Sequence, residues 1–394
     1  MNNISNEIPL IYLIAGEPSG DQLGARLMAA LKHETKGEVR FAGIGGERMA
    51  AEGLVSLFPI HELAVMGLAE VLPHIPNILR RIKQTKVDVE EQRPSALVTI
   101  DSPGFSLKVS KGLKGKGIPL IHYVAPSVWA WKKKRAQKVS TYLDHLLTLL
   151  PFEPPYFEKH GLASTFVGHP VIEAEGAFTE IKREQLCSEL GLSTEAPTLA
   201  VLPGSRRGEV AKLGPVFKET VALLAKSIPD LQCIIPTVSN VKSTVEALTC
   251  DWPVKVRVVE GVDGKHKAFR CANAALAASG TVALELAVDR VPTVIAYKVA
   301  PITAFIARLL IKIKFASLPN ILLDREVQPE RIQEDCTAEI LARDIECLLL
   351  DGTRKQEQIN SYGEVIKLLK CGDEMPSTKA AKTILAVIGQ HSAL

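Results

Sequence analysis

Short apolar runs, many of them β-branched, alternate with helical patterns from the start of the chain: Leu10 to Ala15, Val39 to Gly43, Ala96 to Ile100, Pro119 to Val124, Leu146 to Leu150 and Thr165 to Gly168. Alternation of this kind, with short loops, predicts a parallel α/β sheet. The pattern pauses over the polar stretch from Ile172 to Pro197. It restarts at Thr198 to Leu202 and continues at Leu231 to Ile235, Val254 to Val259, Ala274 to Ala278 and Thr293 to Tyr297. Each half opens with a strand that runs into a glycine-containing loop, which predicts two Rossmann-like domains facing each other across a cleft. Residues 1–171 form the first and 172–345 the second. Beyond Asp335 the sequence reads as helical, broken at Gly352, Gly372 and Pro376, and the helices of 346–394 are expected to pack back on the first domain.

A length of 394 residues suits two cores better than one. Lys and Arg exceed Asp and Glu by 47 − 44 = 3, so no whole-chain attraction to nucleic acid is expected. The seven cysteines are scattered without a C-x-x-C pair, which argues against a disulfide framework and a zinc site and for a reducing compartment. The first apolar run follows Glu7 and leads into Gly-rich polar sequence, so it reads as a strand and not as a signal peptide. The apolar region from Val291 to Ile313 carries Lys298, Arg308 and Lys312, too many charges for a membrane span.

Four loops carry candidate chemistry. Ala15-Gly16-Glu17-Pro18-Ser19-Gly20-Asp21 leaves the first strand and opens a helix; it is either an anion-binding turn or a plain strand-to-helix turn. Leu202-Pro203-Gly204-Ser205-Arg206 does the same in the second half, where Arg206 can form charge-assisted bonds to a phosphate or simply lie in solvent at a helix start. In Ala278-Ser279-Gly280-Thr281-Val282-Ala283-Leu284-Glu285, Ser279 or Thr281 can cap a helix whose amides suit a diphosphate. Glu285 lies one turn on, about 6 Å along the axis, where it can accept from ribose hydroxyls or be an ordinary glutamate in the first turns of a helix. Asp101, at the end of a strand in Ile100-Asp101-Ser102-Pro103-Gly104-Phe105, is a catalytic carboxylate or a cap of the next helix. Gly43-Ile44-Gly45-Gly46 is a poor dinucleotide fingerprint, because Arg48 stands at the third glycine position.

His122-Tyr123-Val124-Ala125-Pro126-Ser127-Val128-Trp129-Ala130-Trp131 ends another strand and precedes Lys132 to Arg135. Its aromatics are core residues or the wall of a lipid or sugar pocket. Two stretches, Ala64 to Ile82 and Pro301 to Phe315, mix apolar and basic residues as membrane-surface helices do, although buried amphipathic helices share the pattern.

Together these motifs resemble the lipid-A-disaccharide synthase family of inverting GT-B glycosyltransferases. The resemblance runs in order through AGEPSGD, LAVMG (Leu63 to Gly67), IDSPGF, IHYVAPSVWAW, LPFE (Leu150 to Glu153), VGH (Val167 to His169), LPGSR, ASGTVALE and SLPN (Ser317 to Asn320). HYVAPSVWAW is its most specific element. Pro18 and Gly104 depart from commoner versions, and neither is a residue assigned to chemistry.

The resemblance implies transfer of 2,3-diacylglucosamine from UDP to the 6-hydroxyl of 2,3-diacylglucosamine 1-phosphate, in lipid A biosynthesis, with no cofactor and no metal. It makes the first domain the acceptor and lipid side and the second the UDP-sugar side. Asp101 is the candidate base, with Glu17 second. Gly204, Ser205, Arg206, Ser279, Gly280 and Thr281 hold the diphosphate, Glu285 the ribose, and Asn320 another polar part of the nucleotide or sugar phosphate. Gly16, Ser19, His122, Trp129 and Trp131 are the acceptor and lipid candidates. Val65, Met66, Leu68, Val71, Leu72, Ile75, Arg80 and Arg81 are the candidates for contact with an anionic membrane, which would place the chain at the cytoplasmic face of the inner membrane. No nucleic-acid partner is implied, and a homodimer is left open. The competing readings are another UDP-sugar enzyme of GT-B type, a sugar 2-epimerase or an N-acetylglucosaminyltransferase, and a non-catalytic nucleotide-sugar binder at a membrane surface.

Overall fold

The computed structural model describes residues 8–63, 75–130, 134–174, 181–300, 304 and 313–392. Residues 1–170 with 369–394 form one compact unit and 171–368 a second.

The first unit holds a six-stranded parallel sheet of order β2-β1-β3-β4-β5-β6, with β1 Leu10–Ala15, β2 Arg40–Ile44, β3 Ala96–Ile100, β4 Leu120–Tyr123, β5 His145–Thr148 and β6 Ala163–Phe166. In β1, residues 11 to 15 are fully buried because one apolar layer covers each face. A strand packed on both faces reads as a continuous apolar run, which is why β1 and β3 have the bounds expected from sequence. The helices are α1 Pro18–Glu34, α2 Glu47–Ala51, α3 Ile75–Gln92, α4 Ser106–Leu113, α5 Lys134–Val139 and α6 Pro155–Glu158.

The second unit repeats the scheme with β7 Thr198–Leu202, β8 Gln232–Thr237, β9 Lys255–Glu260, β10 Ala274–Ala278, β11 Thr293–Tyr297 and β12 Glu330–Ile332, in the order β12-β11-β10-β7-β8-β9. Its helices are α7 Arg183–Glu189, α8 Arg207–Ser227, α9 Lys242–Thr249, α10 Gly261–Cys271, α11 Val282–Val288, α12 Leu318–Leu323, α13 Ala338–Leu350 and α14 Gly352–Leu369. The final helix, α15 Pro376–Ser392, belongs to the first unit, where Ala380, Ala381 and Ile384 join the core of Leu27, Met28 and Leu31 of α1. The chain therefore returns to the first unit at 369 and not at 346: Leu348 of α13 packs on the second sheet, and the Tyr362 hydroxyl of α14 accepts from Gln328 Nε2 at 3.1 Å. The return passes so near Val167-Gly168-His169 that a side chain at Gly168 would meet the Leu369 carbonyl at 3.1 Å. Gly168 also has φ +87°.

Both sheets reverse their winding beside the first strand, between β1 and β3 in one unit and between β7 and β10 in the other. At such a switch point the loops leaving the two strands diverge to opposite faces and open a crevice at the C-terminal edge. The candidate loops after β1, β3, β7 and β10 leave at these two places.

Candidate active site

In the second unit the loops after β7, β8, β9 and β10 line a cavity of about 530 Å³. It brings together Gly204, Ser205, Arg206, Ser279, Gly280, Thr281 and Glu285, all expected from sequence, with Glu209, Thr237, Val238, Val262 and Lys265. Gly204 has φ +116°, and a Cβ there would lie 2.5 Å from Glu209 Oε2, so only glycine fits. Glu209, three residues past the N-cap Arg206, reaches back to accept from the Ser205 amide at 3.1 Å and from Arg206 Nη1 at 2.8 Å. The starts of α8, α10 and α11 all border the cavity, and in none does the N-cap side chain bond to the first turn. Their dipoles give the cavity positive potential from the backbone.

The expected capping by Ser279 or Thr281 is corrected. Thr281 holds the N-cap position of α11 without a cap bond, and the Ser279 hydroxyl donates to the Ala316 carbonyl at 3.4 Å. Glu285 lies in the first turn, as the spacing required, and pairs with Lys265 Nζ at 2.7 Å. Asn320 is also corrected. It is fully buried; its amide donates to the Gln328 carbonyl at 2.8 Å and to Glu330 at 2.7 Å, and its oxygen accepts from the amides of Val327 and Gln328 at 2.7 and 2.8 Å. With two donors and two acceptor sites occupied, it has no capacity left for a nucleotide and instead closes the loop from α12 to β12.

In the first unit, Gly16 and Glu17 leave β1 beside Asp101 and Ser102 at the end of β3. A Cβ on Gly16 would lie 2.4 Å from Ser102 Oγ, so the two loops interlock only with glycine there. Asp101 and Ser102 both sit in the left-handed region, at φ +47° and +44°, and Val124 at the end of β4 has φ +80°. Three non-glycine residues held so at one sheet edge mark a backbone constrained by its surroundings, as active-site loops often are. Asp101 caps nothing, since Phe105 is the N-cap of α4. Burial raises the pKa of its carboxyl above the ordinary value, partly offset by the Ser102 amide. Glu17 is half-buried at the N-cap of α1, without a side-chain cap bond, and Ser19 is exposed on the first turn.

Other acceptor candidates divide. His122 is corrected: its ring is wholly buried, Nδ1 shares a 2.8 Å hydrogen bond with Thr99 Oγ1, and burial pushes its pKa down to about 3, so it is a neutral core residue. Trp129 is half-buried, edge-on to Phe152 at 5.4 Å, and its Nε1 donates to Glu153 Oε1 at 3.2 Å. Glu153 also accepts from the amides of Leu149 and Leu150 at 3.1 and 3.0 Å, and burial raises its pKa to about 7. Phe152 and Glu153 of LPFE thus hold the aromatic loop, a role that sequence reading did not assign. Trp131 lies outside the described residues.

Of the membrane candidates, Val65, Met66, Leu68, Val71 and Leu72 lie outside the described residues. Ile75 and Leu79 stand exposed on α3, at 40% and 54%, near the exposed Arg80. Arg81 is corrected as a headgroup ligand: its guanidinium binds both Glu62 oxygens and stacks over Phe58 at 4.4 Å. That pairing holds the Glu62 pKa down to about 2. Among the described residues, no helix is long and apolar enough to cross a membrane. Asp21, in the first turn of α1, has a structural role. It caps α2 through the amides of Gly46, Arg48 and Met49, and a Cβ on Gly46 would strike it at 2.7 Å, so this Gly-rich turn serves packing.

Compared with known proteins, residues 11–384 match the model of the family described as lipid-A-disaccharide synthetase. The chain belongs to this family. Among its curated members, the lipid-A-disaccharide synthase of Rhodospirillum centenum is 51% identical over 381 residues, covering 96% of this chain and 94% of that protein. That of Paramagnetospirillum magneticum is 51% identical over 390 residues, covering 97% and 98%. Among solved structures, S. aureus MnaA with UDP aligns at TM-score 0.64 and 12% identity over 98% of this chain and 97% of its own. Acinetobacter baumannii MurG aligns at 0.53 and 16% over 91% and 98%. At these identities the structures show the fold alone, the α/β architecture of GT-B proteins. The family match covers both units and every loop discussed above.

Proposed function

We propose that this chain transfers 2,3-diacylglucosamine from UDP to the 6-hydroxyl of 2,3-diacylglucosamine 1-phosphate, giving the β-1,6-linked disaccharide 1-phosphate and UDP. The observation that carries the reading is the cavity at the second switch point, which gathers Gly204 to Arg206, Ser279 to Thr281 and Glu285 around uncapped helix starts. In this reading the diphosphate lies against those amides and Arg206, and Glu285 accepts from the ribose hydroxyls. The acceptor oxygen attacks the anomeric carbon, the bond from that carbon to the phosphate oxygen breaks, and UDP departs with the electron pair. Asp101 takes the acceptor proton. A carboxyl with a raised pKa is a stronger base than an ordinary one, which suits it to this step at neutral pH.

The substrates carry acyl chains, so the same reading puts the enzyme on the anionic cytoplasmic surface of the inner membrane, with 64–82 as the docking segment. The exposed Ile75, Leu79 and Arg80 support that choice. Incubating the purified protein with both lipid substrates and seeking disaccharide phosphate by mass spectrometry tests the reaction. Absence of product, with UDP bound, refutes it in favour of a binder.

A further inference from the structure

The cavity of the second unit is lined by two cationic side chains and two carboxylates, and each cation is tied to one carboxylate. Arg206 Nη1 donates to Glu209 at 2.8 Å, and Lys265 Nζ lies 2.7 Å from Glu285 Oε2. The formal charges of these four residues cancel. A dianionic ligand gains little from side chains so paired unless the pairs open. Lys265 is the fifth residue of α10, one turn behind an uncapped N-terminus, so its own helix supplies it with no favourable end charge. Its partner is on another helix, α11, and the two side chains are 26% and 25% exposed on the cavity wall. The ion pair thus joins the first turns of two helices on the wall of one cavity.

We propose that Lys265 is a ligand of the diphosphate that exchanges partners, leaving Glu285 for the phosphate when the nucleotide binds. The inference rests on the reading of this cavity as the UDP site and adds a residue that neither the motifs nor the comparisons assign. A diphosphate carries more negative charge than one carboxylate, so it competes well for the ammonium. Release of Lys265 frees Glu285 Oε2 to accept from a ribose hydroxyl. After the exchange neither Lys265 nor Glu285 is left without a charged or hydrogen-bonding partner. Recognition of phosphate and of ribose is thereby coupled: a nucleoside without phosphate must compete with Lys265 for Glu285, and a diphosphate without ribose must take Lys265 from it.

Calorimetry with UDP, inorganic pyrophosphate and uridine tests this on the wild type and on Lys265→Met, Glu285→Gln and Arg206→Ala. Lys265→Met is expected to weaken UDP and pyrophosphate by about tenfold each, the size of one charge-assisted contact, and to leave uridine unchanged or tighter. Glu285→Gln is expected to tighten pyrophosphate severalfold, because Lys265 is released, while weakening UDP. Lys265→Gln repeats the first test with a polar replacement in case methionine disturbs folding. Equal losses of UDP and uridine with pyrophosphate unmoved overturn the proposal, since Lys265 then only orients Glu285. So does a variant that changes no ligand. A wild type that binds no UDP removes the underlying reading and this inference with it. UDP binding that is lost in Arg206→Ala but untouched in Lys265→Met overturns this inference alone.

Discussion

Replacing Arg206 with Ala separates the anion site from the fold that carries it. The guanidinium is 62% exposed, and its protein partner is Glu209, three residues along the same helix. An exposed pair of this spacing is worth about 0.3–0.5 kcal/mol, so the substitution should change folding stability by less than about 0.5 kcal/mol. A charge-assisted contact to phosphate is worth about 1.5–3 kcal/mol. Binding gives up the Glu209 pair, so the net contribution of Arg206 to UDP is about 1–2.5 kcal/mol. At about 1.4 kcal/mol per decade this is a loss of roughly 5- to 60-fold in affinity. Titration calorimetry with UDP measures it, and a denaturant melt of the same preparation confirms that stability is unmoved. UDP affinity unchanged in a folded variant refutes the assignment of Arg206 to the diphosphate. A large fall in stability refutes the claim that its pairing is only superficial.

Asp101→Asn should lower turnover about 100-fold while UDP affinity holds, and near-normal turnover moves the base to Glu17 or solvent. Because burial raises the Asp101 pKa, wild-type kcat/KM should rise with pH through a midpoint above the ordinary carboxylate value, and that rise should vanish in the variant. Glu153, raised from 4.5 to about 7, binds its proton more tightly in the folded state. Folding stability should therefore fall as pH rises from about 4.5 to 7, by an amount on the order of 3 kcal/mol, and Glu153→Gln should flatten that slope in urea titrations. Asn320→Ala strips four hydrogen bonds and leaves buried groups unpaired, so a loss of about 2–4 kcal/mol in urea midpoints is expected, with no change in UDP affinity where the protein is folded. Changing Val65, Leu68, Leu72 and Ile75 to Ser should release the protein from anionic vesicles with UDP binding intact; unfolding instead would make them core residues and favour 301–315 as the docking segment.

Much of the fold was legible because a parallel strand covered on both faces must be apolar throughout, and such runs stand out between amphipathic helices. β1, β3, β7, β10 and β11 have the bounds expected from the sequence. β12 escaped notice because it has three residues, Glu330 to Ile332, pairs only with β11, and carries charge at an edge where charge is tolerated. The last division of the chain lies later than its sequence pattern suggests, for a related reason. An amphipathic helix shows that it packs but not on what, and α13 and α15 show similar patterns although one covers the second sheet and the other lies on α1.

At the candidate site the same boundary separates what could be read from what could not. Gly204 to Arg206 and Ser279 to Glu285 were found because each loop and its helix start contain their own chemistry within a few residues. Glu153 and Lys265 were not, because each is defined by a partner about twenty residues away: Trp129 for one and Glu285 for the other. Asn320 was misread in the opposite direction, its amide having the composition of a ligand contact until Val327, Gln328 and Glu330 fold over it. The C-terminal edge of a parallel sheet explains the case of Lys265, since it gathers loops that the sequence holds far apart, here 204–209, 236–238, 261–265 and 278–285 around one cavity. A motif within one loop declares which donors and acceptors are present. Whether those groups remain available to a ligand is decided by the neighbouring loops, and in this chain that decision left Glu285 on the cavity wall, paired with a lysine, and buried Asn320.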